Sequence, residues 1–207
     1  MTDPRRIVLG VTGNIATGKS TVVRILKDLG AHHIDADLVY HDLVAPGQPL
    51  LRTLAGRFGD GIVAPDGGLD RKALGKVVFS DARALADLDA LTHPAVIAEI
   101  DRRADAIREG VILIDAVKLI ESGHADHCDA VWLVTAPQEV QVTRLMERNT
   151  LPKAEALRRV AAQPPLEPKI ARADRIIENA GSLDDLRAQV EAAWRELVGT
   201  QPVADRP

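Results

Sequence analysis

The eight residues Gly13-Asn14-Ile15-Ala16-Thr17-Gly18-Lys19-Ser20 constrain this chain more than any other stretch, because they match the P-loop pattern G-x-x-x-x-G-K-[ST]. An apolar run, Ile7-Val8-Leu9-Gly10-Val11, precedes them, and an amphipathic run, Thr21 to Leu29, follows. Strand, glycine loop and helix in that order give the motif its physical meaning. Glycine lets the backbone curl until successive N–H groups point at one anion, and the helix opening at Lys19 adds the positive end of its dipole. Residues Gly13 to Thr21 are therefore expected to bind the phosphates of ATP. Lys19 would reach the β- and γ-phosphates, and the Ser20 hydroxyl would ligate Mg²⁺.

The rest of the chain alternates strand and helix signals, as a parallel α/β sheet requires. Val22, Val23, Ile25, Leu26 and Leu29 give the first helix its apolar face, and Gly30 stops it. A short strand, His33-Ile34-Asp35, ends in Asp35-Ala36-Asp37. Open α/β sheets gather ligands at the carboxyl ends of their strands, so these two acids are candidates for Mg²⁺ or for a substrate hydroxyl. The competing reading of Asp37 is a helix cap. Val111-Ile112-Leu113-Ile114-Asp115 reads as a buried strand ending in an acid, like a Walker B strand. Ala130 to Thr135 is a fourth strand and Arg175 to Glu178 a fifth. The expected fold is a P-loop NTPase: a five-stranded parallel sheet flanked by helices.

Three stretches depart from simple alternation. Residues of about 50–109 are too many for a crossover and read as a helical acceptor-binding insertion. Its last part is expected as three helices, Arg71–Phe79, Ala82–Leu91 and Pro94–Glu109, with His93 at a hinge. Between the prolines at 152 and 164, Lys153 to Ala162 forms a short basic helix, which suits a lid over about 149–165. The helix from Pro137 to Arg148 places Gln141, Arg144 and Arg148 on one face, where arginines could neutralise charge on a transferred phosphoryl group. The core then comprises residues 5–45, 110–148 and 166–198 of a single unit spanning 1–207, with a disordered tail over 199–207.

Composition excludes several classes. Aromatic residues are 2% of the chain, so its core is aliphatic. A net charge of −4 argues against nucleic-acid binding by bulk electrostatics. The single cysteine, Cys128, leaves neither a disulfide framework nor a zinc cluster. No apolar run reaches membrane-span length and no signal peptide is apparent, so a cytoplasmic protein is expected, a monomer or small homo-oligomer.

Several motifs coincide in one family. Gly10-Val11-Thr12-Gly13 with Gly18-Lys19-Ser20-Thr21, Ile34-Asp35-Ala36-Asp37, Leu91-Thr92-His93-Pro94, Asp115 to Glu121, and Gln141-Val142-Thr143-Arg144 with Arg148 all resemble the dephospho-coenzyme A kinases. Gln163, Ala173-Asp174 and Asn179-Ala180-Gly181-Ser182 complete the set. The resemblance implies transfer of the γ-phosphoryl of ATP to the ribose 3′-hydroxyl of dephospho-coenzyme A. It implies that Asp37 orients or deprotonates that hydroxyl, that Arg144 stabilises the phosphoryl group, and that Arg148, Asn179 and Gly181 bind the nucleotide. Asp37, His93, Asp115, Leu119 and Glu121 would line the acceptor site, and Ser20 and Asp35 would hold the metal. Two departures stand out. Asp115-Ala116-Val117-Lys118-Leu119-Ile120-Glu121 replaces the family's Asp-Val-Pro-Leu-Leu-Phe-Glu, and Asn14 and Ala16 replace P-loop glycines. The alternatives are a related small-molecule kinase with another acceptor, or a P-loop switch without transfer activity. A GTPase switch would want an N/T-K-x-D motif, which the chain lacks.

Overall fold

A computed structural model describes residues 6–199 of the chain. The tail expected over 199–207 lies outside the described residues except for Gly199, which ends the last helix. The chain divides into two compact units, one of residues up to His33 and from Arg108 onward, the other of Ile34–Ile107.

The first unit holds most of the sheet. Strands β1 (Arg6–Gly13), β2 (His32–Asp35), β3 (Gly110–Asp115), β4 (Ala130–Thr135) and β5 (Arg175–Glu178) lie in the order β2-β3-β1-β4-β5. β1 pairs in parallel with β3 and β4, and β4 with β5. Continuous aliphatic runs form these strands because both faces of the central ones are buried. Alternate residues Leu9, Val11, Leu113, Trp132 and Val134 share a core with α1 (Lys19–Asp28) and α9 (Leu183–Gly199). Two aspartates extend the ladder at the strand starts. Asp129 donates its N–H to the Val8 carbonyl while its carboxylate accepts from Val8 N at 2.7 Å. Asp174 repeats this on Val131, its carboxylate accepting from Val131 N at 2.8 Å.

Three more helices follow in this unit: α6 (Gln138–Asn149), α7 (Lys153–Ala161) and α8 (Glu167–Arg172). α7 packs on α6 through Val142, Leu145 and Ala156, with Ile15 and Ala16 of the P-loop against the same cluster. Its two arginines are not free cations: Glu155 accepts from both Arg158 and Arg159, which hold its carboxyl below the usual range. α8 is absent from the sequence reading, since six residues are too few to display a period.

The second unit is helical: α2 (Ala36–Leu43), α3 (Pro49–Phe58), α4 (Arg71–Val78) and α5 (Ala82–Asp105). Val44, Leu50, Leu54, Ile62, Leu74 and Val78 form its core. The three helices expected from Arg71 to Glu109 are in fact two, because α5 runs unbroken through Pro94 for 24 residues. A proline removes the hydrogen bond to the carbonyl four residues back, here Ala90. Ala90 and Pro94 are both exposed, so water can satisfy that carbonyl, and no hinge forms at His93.

Candidate active site

β1 delivers the chain into the P-loop, and α1 begins at Lys19 with Gly18 as its cap at φ +91°. The loop closes one side of a cavity of about 910 Å³, lined also by Val117, Arg144, Glu147, Arg148, Asn179 and Gly181. A volume of that size suits a nucleotide-sized ligand. All residues from Gly13 to Thr21 line it, together with Arg148, Asn179 and Gly181. Ala16 holds φ +58°, where glycine would be unstrained, so the departure at this position carries a local cost of about 1–2 kcal/mol.

The loop is held in shape by two side chains that also face the cavity. The Arg144 guanidinium donates to the carbonyls of Ala16 (3.4 Å) and Thr17 (3.2 Å), and to Asn179 O (3.2 Å) and Oδ1 (3.1 Å). Asn179 is 6% exposed and donates Nδ2 to Thr17 O at 2.9 Å. A Cβ at Gly18 would overlap that Nδ2, so the glycine is required by close approach as well as by φ. Arg144, expected to stabilise the phosphoryl group, lines the cavity while its Nη1 and Nη2 donate to the P-loop carbonyls and to Asn179. Arg148 Nε donates to Asn149 Oδ1 at 3.0 Å, and Arg148 lines the cavity.

Gln163 Oε1 accepts from Ile15 N at 3.2 Å, and Asn14 Nδ2 donates to Pro164 O at 3.4 Å. The chain after α7 therefore lies on the P-loop. Gln163 carried no assigned role in the sequence reading, and a lone glutamine before two prolines offers no signal for one.

Lys19 forms an ion pair with Asp115 at the end of β3, both side chains largely buried. His33 Nε2 stands 3.5 Å from the other Asp115 oxygen, buried and without hydrogen-bond geometry. Asp115 thus sits at the phosphate-binding lysine. Two other expected acceptor residues lie outside the lining of this cavity. Leu119 is fully buried, and a Cβ on Gly10 would lie 2.5 Å from its Cδ2, so it is a core anchor beneath β1. The Glu121 carboxylate is 3.1 Å from the ammonium of Lys169.

In the second unit Asp35, not Asp37, is the cap of α2. Asp35 Oδ1 accepts from Asp37 N (2.8 Å) and Leu38 N (3.2 Å). That leaves Asp37 in the first turn, exposed, its carboxylate accepting no hydrogen bond from the described residues. His93 lies mid-helix, its Nε2 3.4 Å from Asp89 Oδ1 one turn back.

A family model described as dephospho-CoA kinase matches residues 7–185. A dephospho-CoA kinase from Symbiobacterium thermophilum is 49% identical over 195 residues, covering 93% of this chain and 82% of that one. A crystal structure from Thermus thermophilus superposes with a TM-score of 0.76 at 35% identity, covering 93% of this chain and 98% of that one. The structure of dephospho-CoA kinase from Campylobacter jejuni gives a TM-score of 0.69 at 28% identity with the same coverage. With its P-loop, its Asp115 strand and nearly its whole length inside these matches, the chain belongs to the dephospho-CoA kinase family.

Proposed function

We propose that this chain transfers the γ-phosphoryl group of ATP to the ribose 3′-hydroxyl of dephospho-coenzyme A, giving coenzyme A and ADP. The observation that carries the reading is Lys19, held by Asp115 at the wall of a nucleotide-sized cavity built on an intact P-loop. The acceptor comes from the named relatives. Lys19 and the loop amides bind the β- and γ-phosphates. Arg148 supplies cationic charge from the nucleotide side, while Arg144 acts by holding the P-loop and Asn179. Asp37, whose carboxylate accepts no hydrogen bond from the described residues, takes the proton of the acceptor hydroxyl as the new O–P bond forms. His93 belongs to the acceptor side.

A magnesium ion belongs to this reading, with Ser20 and Asp35 as the residues that would hold it. Ser20 is exposed in the first turn of α1, and Asp35 keeps one carboxylate oxygen beyond the one that caps α2. Both are hard oxygen donors, and such a cation when bound neutralises charge between the β- and γ-phosphates. No nucleic acid or membrane partner is needed, and no helix among the described residues is long and apolar enough to cross a membrane.

The test is ADP release with and without dephospho-coenzyme A, alongside Asp37→Asn. ADP release that depends on dephospho-coenzyme A supports the reading, and its absence overturns it. Asp37→Asn is expected to lower kcat by about 100-fold with little change in ATP affinity. Full turnover in that variant would remove Asp37 from the mechanism.

A further inference from the structure

Helix α8 carries a lysine for which the scheme above has no use. Lys169 is 2% exposed. Burying an ammonium is costly unless it is both paired and hydrogen-bonded. Here it is both: Nζ donates to the Val117 carbonyl at 3.3 Å and lies 3.1 Å from Glu121 Oε1. The same carbonyl accepts from the Thr12 hydroxyl at 2.9 Å, and Thr12 is fully buried in β1, next to the P-loop. Val117 lines the nucleotide cavity, and Asp115, two residues earlier, holds Lys19.

The segment from Asp115, which ends β3, to Glu121 has no helix or strand beyond that first residue to fix it. It is tied at Asp115 by Lys19, at Val117 by Thr12 and Lys169, at Leu119 by the core, and at Glu121 by Lys169 again. One ammonium thus joins the middle of the loop to its end. Chain order adds a second observation. Gln163 and Pro164, just before α8, touch Ile15 and Asn14 of the P-loop. A stretch of seven residues therefore grips the P-loop at one end and the loop after β3 at the other.

We infer that Lys169 is a positioning residue for phosphoryl transfer, fixing residues 116–121 so that Val117 keeps its place in the cavity wall and Asp115 its line to Lys19. The inference rests on the kinase reading above. An apolar residue of similar length would fill the same space, and buried ion pairs are often no more stabilising than such replacements. The pair therefore sets the register of the loop, and its removal separates stability from turnover.

Lys169→Met alone leaves Glu121 without its partner, so the informative variant is Lys169→Met with Glu121→Leu, which leaves no unpaired charge. Its melting temperature, ATP dissociation constant, kcat with dephospho-coenzyme A, and amide exchange over 116–121 are measured beside wild type. The expected result is a folded protein with ATP affinity within about threefold of wild type and kcat lower by about 10-fold or more, the scale of a small misplacement. Exchange over 116–121 is expected to quicken by about 10-fold, as for a segment whose local opening has become easier. Wild-type turnover or unchanged exchange in the folded double variant overturns the inference. Failure of the double variant to fold also overturns it, since the pair would then be a stability element. If wild type does not use dephospho-coenzyme A, the kinase reading fails by itself, and exchange and ATP affinity still decide the role of Lys169 in holding the loop.

Discussion

Alanine at Gly18 would do two separable kinds of damage. The first is conformational: φ +91° costs a side chain about 1–2 kcal/mol. The second is steric, because the new Cβ would overlap Asn179 Nδ2 and push the carboxamide off Thr17 O and Arg144. Those bonds are buried and one engages a charged donor, so their loss is worth about 2 kcal/mol. Gly18→Ala should therefore lower stability by about 3–4 kcal/mol. Asn179→Ala alone removes the same two bonds and should cost about 2 kcal/mol. Once Asn179 is gone the clash has no partner, so the double variant should be no less stable than Gly18→Ala alone. The expected coupling is about 2 kcal/mol in magnitude. Urea unfolding of the four proteins at constant slope gives it directly. Additive costs, with the double variant near 5–6 kcal/mol below wild type, would refute the idea that Asn179 and Gly18 compete for one space.

Ala16→Gly should stabilise the protein by about 0.5 kcal/mol, because relief of φ +58° outweighs the extra freedom glycine gives the unfolded chain; a melting temperature that falls would contradict this. Glu99 bridges Arg102 and Arg103, whose hydrogen bonds lower its pKa from 4.5 to about 2. With the folded pKa depressed, its contribution is complete above about pH 4.5 and disappears as pH falls toward 2. Arg102 is 69% exposed, so screening reduces the expected cost of Glu99→Gln at pH 7 to about 1 kcal/mol. Unfolding at pH 7 and pH 2.5 should show a deficit that is much smaller at the lower pH.

Much of this fold is legible because its chemistry is local. Aliphatic strands buried on both faces read as unbroken runs, and Gly18 before Lys19 announces a helix that opens on an anion site. What the sequence could not disclose depends on partners distant in the chain. Asp35 and Asp37 stand two residues apart with the same side chain, yet one caps α2 and the other stays free. Helical spacing put Arg144 and Arg148 on one face correctly, but spacing names no partner, and the carbonyls of Ala16 and Thr17 are more than 100 residues away in sequence. Pro94 looked like a break because the sequence does not say whether the orphaned carbonyl faces water. Lys169, in the polar stretch Glu167-Pro168-Lys169, looks like any surface lysine until Val117 and Glu121 are placed beside it.

The Lys19–Asp115 pair sets a problem for nucleotide binding, because one ammonium cannot give its full charge to a carboxylate and to a triphosphate at once. Side chains 18% and 11% exposed make the pair worth more than a surface bridge, about 1–2 kcal/mol. Binding ATP must recover that amount before any net affinity appears. Asp115→Asn keeps the shape and an acceptor oxygen but removes the competing charge. It should therefore tighten ATP binding by about 5- to 10-fold, the equivalent of 1–1.4 kcal/mol, while lowering the stability of the nucleotide-free protein. Turnover should fall even so, since the carboxylate is also lost from the transition state. Titration calorimetry with a non-hydrolysable ATP analogue separates the two contributions. Weaker binding in Asp115→Asn would mean that the carboxylate holds the nucleotide site together rather than competing for its lysine.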